Sequence, residues 1–261
     1  MRMLDRIVFV SDADSDSGQA IIARLAAEGA RFILNSSSNG DSIRHLLDQE
    51  QVSDNRIHLV NLNLASFEAT ATGLREAAAH MGGLDVLIVN HQCVQPISVE
   101  HGDEQMFLDI LNANAKTAFL CTQAAGKLMK QQESGKIIYI GSIHAEKPTG
   151  SSFAYSAARG AVQMLAREAS LILGRYGIQV NHIQMGPVEG DHEQFSSTLS
   201  PIYDDYEYKV PSAVLGTYQD LADLVLYMSS DESRYLNGSD IRLDGGFLHH
   251  YLDPKMKKPM A

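Results

Sequence analysis

Cysteine is scarce: Cys93 and Cys121 are the only two in 261 residues. Two isolated thiols without metal-type spacing argue against a disulfide framework and fit a reducing compartment. Positive charge is scarce as well. Lys and Arg number 21 against 32 Asp and Glu, a net charge of −11, and no basic cluster stands out beyond the closing KMKKP. Nucleic acid and anionic membrane are therefore poor partners, and the acidity serves solubility. No apolar run approaches the roughly 20 residues of a membrane span. The opening MRMLDRIVFVSD holds too short an apolar run for a signal peptide, so a cytoplasmic protein is expected.

What is present is a regular alternation. Short β-branched runs (RIVFV, RFILN, RIHLVNLN, LDVLIVN, GKIIYIGS, IQVNHIQ, DIRLD) are separated by longer helical patterns such as GQAIIARLAAEG and FAYSAARGAVQMLAREASLILGRYG. Strands this apolar on both faces describe a parallel sheet covered on both sides. Right-handed crossovers then make it an α/β, Rossmann-like doubly wound fold. No linker, repeat or low-complexity segment interrupts it, so residues 1–261 are expected to form one domain. The long irregular segment 187–215, rich in Tyr, Asp and Ser, follows a strand's C-terminal end and is expected to be a substrate lid. Residues 250–261 form a tail.

Glycine is missing where it matters most. Residues 7–30, IVFVSDADSDSGQAIIARLAAEGA, have the outline of a nucleotide-binding βα unit: apolar run, polar turn, amphipathic helix. The turn carries Asp12, Asp14 and Asp16. Carboxylates in a helix's first turn satisfy orphan N–H groups and complement the dipole. The expectation is that they take over the helix terminus where a phosphate would otherwise rest. Asp-x-Asp-x-Asp also opens a calcium loop, but Ser17 at the sixth position and Ala23 at the twelfth exclude an EF-hand, and no metal site is expected.

Several motifs in order resemble the short-chain dehydrogenase/reductase family over almost the whole chain. Ser142 followed after twelve residues by YSAAR (Tyr155 to Arg159) is similar to its Ser…Tyr-x-x-x-Lys signature. NANAKTAFL places Asn114 where the family keeps a helix-breaking catalytic Asn. LDVLIVNHQC, GIQVNHIQMGP and DLADLVLYMSSDESRYLNGSDIRLDGGF resemble further family blocks. GSIHAEKP and FLCTQAAGKLMK are similar to the glucose-dehydrogenase-like members. The resemblance implies hydride transfer between NAD(P) and a small alcohol, ketone or sugar-like substrate. Tyr155 is then the general acid/base, Ser142 holds the substrate oxygen, and Asn114 belongs to the proton relay. A free phenol ionises near pH 10, so such a tyrosine needs a positive charge beside it. The resemblance also implies a homodimer or homotetramer built through the long helices.

The departures from the family pattern cluster at the cofactor. Its Thr-Gly-x-x-x-Gly-x-Gly loop aligns with Ser11 to Gly18, and only Gly18 survives. Asp16 adds bulk and charge at the diphosphate contact, and Asp12 adds a smaller effect of the same sign. A carboxylate about 4 Å from a phosphate costs roughly 1 kcal/mol in water and about 4 at an effective dielectric near 20. Asn90, His91 and Gln92 replace the small residues after the fourth strand. Asn35 to Ser38 (NSSS) offers neither the acid that favours NAD nor the Arg that favours NADP. Met185 and Gly190 replace the usual Pro and Thr, while Asn63 keeps the adenine-side pattern. The cofactor-binding set is thus a degenerate one, Ser11, Asp12, Asp16, Gly18, Asn63 and Asn90, and NAD(P) binding is expected to be weak or absent.

Lys to Arg at Arg159 keeps the charge but not the capacity to pass on a proton. The resulting Ser142–Tyr155–Arg159 set resembles the triad of halohydrin dehalogenases, cofactor-free relatives acting on epoxides and halohydrins, although their aromatic halide loop is absent. Three readings therefore stand: a divergent oxidoreductase, a cofactor-independent Ser-Tyr-Arg enzyme, and a non-catalytic binding or assembly protein. His144 reads as a rim histidine. Asp204, Asp205 and the tyrosines at 203, 206 and 208 read as a solvated lid face, and Cys93 as a buried small residue.

Overall fold

The structure is a computed structural model that describes residues 1–100, 102–147, 152–189, 209–212 and 214–249. Strands β1 (Ile7–Val10), β2 (Arg31–Asn35), β3 (Ile57–Val60), β4 (Val86–Val89), β5 (Gly135–Ser142), β6 (Ile178–Met185) and β7 (Asp240–Leu243) form one sheet. Their order is β3-β2-β1-β4-β5-β6-β7, and every pairing is parallel. The expected Rossmann-like doubly wound sheet is what forms. Most of the expected lid, 190–208 and 213, and all of the tail 250–261, with Asp204, Asp205 and the tyrosines at 203, 206 and 208, lie outside the described residues.

Alternation within the apolar strands explains the layers. Val8 and Val10 of β1 point into one core with Ile22 and Leu25 of α1 (Asp16–Ala26) and Leu221 and Val225 of α7 (Tyr218–Ser229). Ile7 and Phe9 point into the other core, with Leu74 of α3 (Phe67–Met81), Cys121 and Ala125 of α5 (Thr117–Gln132) and Val162 of α6 (Phe153–Leu173). A period of two therefore buries both faces. Helix ends follow local chemistry. Ser66 caps α3 at its N-terminus and Gly82, at φ 97°, closes it. Thr217 and Asp220 make a reciprocal capping box on α7.

Two boundaries differ from the sequence pattern. The helix expected over DSIRHLLDQE shrinks to α2 (Arg44–Gln49), because Asn39 and Gly40 adopt positive φ and Ser42 is held in a polar turn. Between α4 (Glu104–Leu111) and α5 the backbone widens into a π turn over Asn112–Lys116. Sheet order reverses at β1, which pairs with β2 on one side and β4 on the other. The crevice between their C-terminal ends is where open α/β sheets hold ligands.

Candidate active site

Asn90, just past β4, ties the loop after β1 to the end of β4 at the floor of that crevice. Its Oδ1 accepts from the Asp12 amide at 3.0 Å and the Ser11 hydroxyl at 3.1 Å, and its Nδ2 donates to the Asp12 carbonyl at 2.7 Å. The Ser11 hydroxyl in turn accepts from the Asn90 and His91 amides, at 3.0 and 3.2 Å. Gly18 keeps α1 close to this knot. A Cβ there would lie 2.1 Å from the Asp12 carbonyl oxygen and 3.1 Å from Asn90 Nδ2. That contact is the physical reason for the one glycine left in the loop.

The three loop aspartates do different things. Ser15, not an aspartate, is the N-cap of α1 and accepts from the Gly18 amide at 3.2 Å. Asp16 sits exposed in the first turn, and Asp12 accepts from the Ser15 amide at 3.3 Å. Asp14 turns away from the helix altogether, to the serines after β2. The expectation that carboxylates take over the helix terminus is corrected to that extent: a hydroxyl reaches the cap position with less bulk. Asp12 also lies 3.8 Å from His91 Nδ1. Burial raises the Asp12 pKa against the attraction of His91, while burial and the charge of Arg159 lower that of His91.

A cleft of about 320 Å³ runs from this loop to the ends of β5 and β6, and Asp12, Asp14, Asp16, Asn90, Ser142 and Tyr155 line it. Its size is at the low end of the range for small-molecule sites, ~300–1,000 Å³. Ser142 is the last residue of β5, and its Oγ accepts from the His144 amide at 3.3 Å. Tyr155 stands in the first turn of α6 with His144 edge-on at 5.3 Å between ring centroids. Arg159 follows one turn later on the same face. Its guanidinium carbon lies 4.7 Å from the centre of the Tyr155 ring. It is buried, and its NH groups reach the carbonyls of Ile140 and His91 and Gln92 Oε1 at 3.3–3.5 Å.

Other expected residues lie off the cleft. Asn114 sits in the π turn, where Nδ2 donates to the carbonyls of Cys93 and Ile110 at 2.9 and 2.8 Å and Oδ1 accepts from the Cys93 amide at 3.1 Å. It thereby fixes the segment after β4. Asn63 bonds its own turn, accepting from the Ala65 amide. His144 is buried, and burial with the nearby Arg159 charge lowers its pKa to about 4. Sequence reasoning passed over His182, fully buried on β6, whose Nδ1 lies 3.1 Å from Asp240 Oδ1. It also passed over the serine loop as an anion holder; a run of Ser at a strand's C-terminal end was the available signal. Among the described residues no group of three or more His, Cys, Asp or Glu is placed to hold a metal ion.

The parallel sheet in this order is Rossmann-like, with Ser142 and Tyr155 opening on one cleft and Asn114 in a π turn beside the segment after β4. The profile of the family described as enoyl-(acyl carrier protein) reductase matches residues 13–248, and the chain belongs to that family of short-chain dehydrogenases/reductases. It is 25% identical over 251 residues to a 2-dehydro-3-deoxy-D-gluconate 5-dehydrogenase of Formosa agariphila, covering 93% of this chain and 92% of that one. It is 25% identical over 244 residues to the 3-oxoacyl-[acyl-carrier-protein] reductase FabG of Staphylococcus aureus, covering 93% and 98%. Among solved structures, a putative short-chain alcohol dehydrogenase from Sinorhizobium meliloti superposes with a TM-score of 0.84 at 25% identity, covering 95% and 98%. Levodione reductase superposes at 0.86 with 24% identity, covering 96% and 100%. No described helix is long and apolar enough to cross a membrane.

Proposed function

We propose that this short-chain dehydrogenase/reductase acts on a small alcohol, ketone or sugar-like compound through Ser142, Tyr155 and Arg159, and that it binds NAD(P) weakly in the ordinary pose. The observation that carries the reading is the joint lining of one cleft: Ser142 and Tyr155 at one end, three carboxylates at the other. Members of this family generally use NAD(P), which supplies or accepts hydride when bound. The residues present fit its diphosphate poorly, because Asp12 and Asp16 meet an anion with like charge and Gly18 alone of the loop glycines remains.

The chain's own residues handle the proton. Ser142, held by the His144 amide, is placed to hydrogen-bond a substrate oxygen. Tyr155 Oη takes the proton of a substrate hydroxyl or returns one to a carbonyl-derived oxygen. Arg159, packed on the Tyr155 ring and tied to two backbone carbonyls, keeps positive charge beside that exchange and cannot itself relay the proton. Asn114 holds Cys93 and the segment after β4 in place.

A second reading shares the same residues: a cofactor-independent Ser-Tyr-Arg enzyme on epoxides or halohydrins. Arg159 and the loop's poor fit to an anionic cofactor favour it, while Asp16, which repels halide, counts against the halohydrin form. Titration of the purified protein with NADH and NADPH at physiological salt separates the two. Micromolar binding by the wild type refutes the weak-cofactor reading. With no binding, turnover of an epoxide or halohydrin that is lost in Tyr155→Phe supports the second reading. A homodimer or homotetramer through α5 and α6 accounts for Phe119, Met164, Leu171 and Ile172, each 48–70% exposed on those helices. Light scattering at working concentration tests it.

A further inference from the structure

The loop after β2 encloses a carboxylate from elsewhere in the chain. Asp14 Oδ1 accepts from the hydroxyls of Ser36 at 2.8 Å, Ser38 at 2.9 Å and Ser42 at 2.5 Å. Oδ2 accepts from the Ser37 amide at 2.7 Å, the Ser37 hydroxyl at 2.9 Å and the Ser38 amide at 3.2 Å. Two successive backbone amides and four hydroxyls thus converge on one anion, an arrangement that suits any compact oxyanion. A carboxylate offers about four lone-pair sites, so six donors leave it no capacity for a further ligand hydroxyl. Partial burial works to raise the Asp14 pKa, but the hydrogen bonds from Ser42, Ser36, Ser37 and Ser38 outweigh it and hold the group well below the usual carboxylate range.

The donors are braced as a set. Ser36, fully buried, also accepts from the Gly40 amide at 2.7 Å, and Ser38 accepts from the Ser42 amide at 3.1 Å. The loop is thus folded around its anion by contacts 22–28 residues apart in sequence. Asp14 itself lines the cleft, so the nest's anion stands at the boundary between the serine loop and the ligand side of the sheet.

We propose that residues Ser36–Ser38 and Ser42 form an oxyanion site for a phosphate monoester and that Asp14 is its resident anion, a built-in plug and the specificity determinant of this end of the cleft. The proposal deepens the weak-dinucleotide reading and rests on it for its meaning in the wild type. In open α/β folds the ribose of a dinucleotide is read at the end of this strand. A 2′-phosphate brought there competes with Asp14 for the same donors, whereas a plain 2′-hydroxyl does not. Asp14 therefore discriminates against NADPH more than against NADH.

The test compares wild type, Asp14→Ala and Asp14→Asn by calorimetric titration with NADPH and NADH, and by thermal melting with and without inorganic phosphate. The expected result is that Asp14→Ala strengthens NADPH binding about tenfold more than NADH binding, as removal of one competing charge implies. Phosphate raises the melting temperature of Asp14→Ala and leaves the wild type unmoved. If Asp14→Ala does not fold, Asp14→Asn, which keeps the shape and loses the charge, is read for the same phosphate response. Equal gains for the two dinucleotides, or a phosphate response absent from both variants, overturns the oxyanion site. Tight NADPH binding by the wild type instead defeats the weak-dinucleotide reading, and the two failures are distinct.

Discussion

Asn90→Ala removes the side chain that joins the first loop to the end of β4. The substitution strips partners from the Asp12 amide, the Asp12 carbonyl and the Ser11 hydroxyl, bonded at 3.0, 2.7 and 3.1 Å. Each buried polar group left unsatisfied costs about 1–3 kcal/mol, although the Asp12 carbonyl keeps the Ser15 hydroxyl at 3.1 Å. Asp12 borders the cleft, where water recovers part of the loss, so the expected destabilisation is about 2–4 kcal/mol. That is a large share of the roughly 5–15 kcal/mol by which domains are stable. At about 2–4 °C per kcal/mol for chains near this size, the melting temperature falls by about 5–15 °C. Urea unfolding followed by far-ultraviolet circular dichroism suits a protein without tryptophan. Asn90→Asp serves as the informative companion: it keeps the acceptor toward the Asp12 amide but sets a carboxylate against the Asp12 carbonyl, and loses at least as much. An Asn90→Ala protein within about 0.5 kcal/mol of wild type refutes the idea that this residue locks the loop.

Three further outcomes are expected. Asp12→Gly with Asp16→Gly strengthens NADH binding by about fivefold to a thousandfold, the span set by roughly 1–4 kcal/mol of relieved repulsion; an unchanged titration means that the His91–Gln92 segment and the serine nest dominate. Burial lowers the pKa values of His144 and His182 to about 4, so each is neutral in the folded protein and protonates more readily unfolded, near 6.5. Their contribution to stability is present above pH 6.5 and is lost as pH falls toward 4, on the order of 3 kcal/mol for His144. Denaturation midpoints at pH 7, 5.5 and 4.5 should fall less in His144→Gln than in wild type, and parallel curves would refute the assignment. Gly141→Ala places a Cβ 2.0 Å from His182 Nε2, on a ring that is fully buried beside Asp240. The crowding costs about 1–3 kcal/mol and displaces the neighbouring Ser142, so turnover falls along with the melting temperature; an unchanged melt counts against it.

The strands and most helices were legible because their signals are local. RFILN and GKIIYIGS become β2 and β5 over the same residues, since apolar, β-branched runs of that length bury both faces only as inner parallel strands. Ser142, Tyr155 and Arg159 were picked out by the family resemblance; the fold brings Ser142, at the end of β5, and Tyr155 to one cleft, with Arg159 one helical turn further on. DSIRHLLDQE was less legible. Its first residues are drawn into the turn around Asp14, a contact that no window along the chain contains.

The order of apolar runs suffices to determine the sheet and its two covered faces, and the spacing of Tyr155 and Arg159 sets them one helical turn apart. Where Asp14 goes was a matter for tertiary structure alone. A carboxylate in a polar turn is equally at home on the first turn of its own helix, and Ser15 caps that helix instead. The amides and hydroxyls that bind Asp14 are brought to it by the pairing of β1 with β2, and a sum of six hydrogen bonds decides its place.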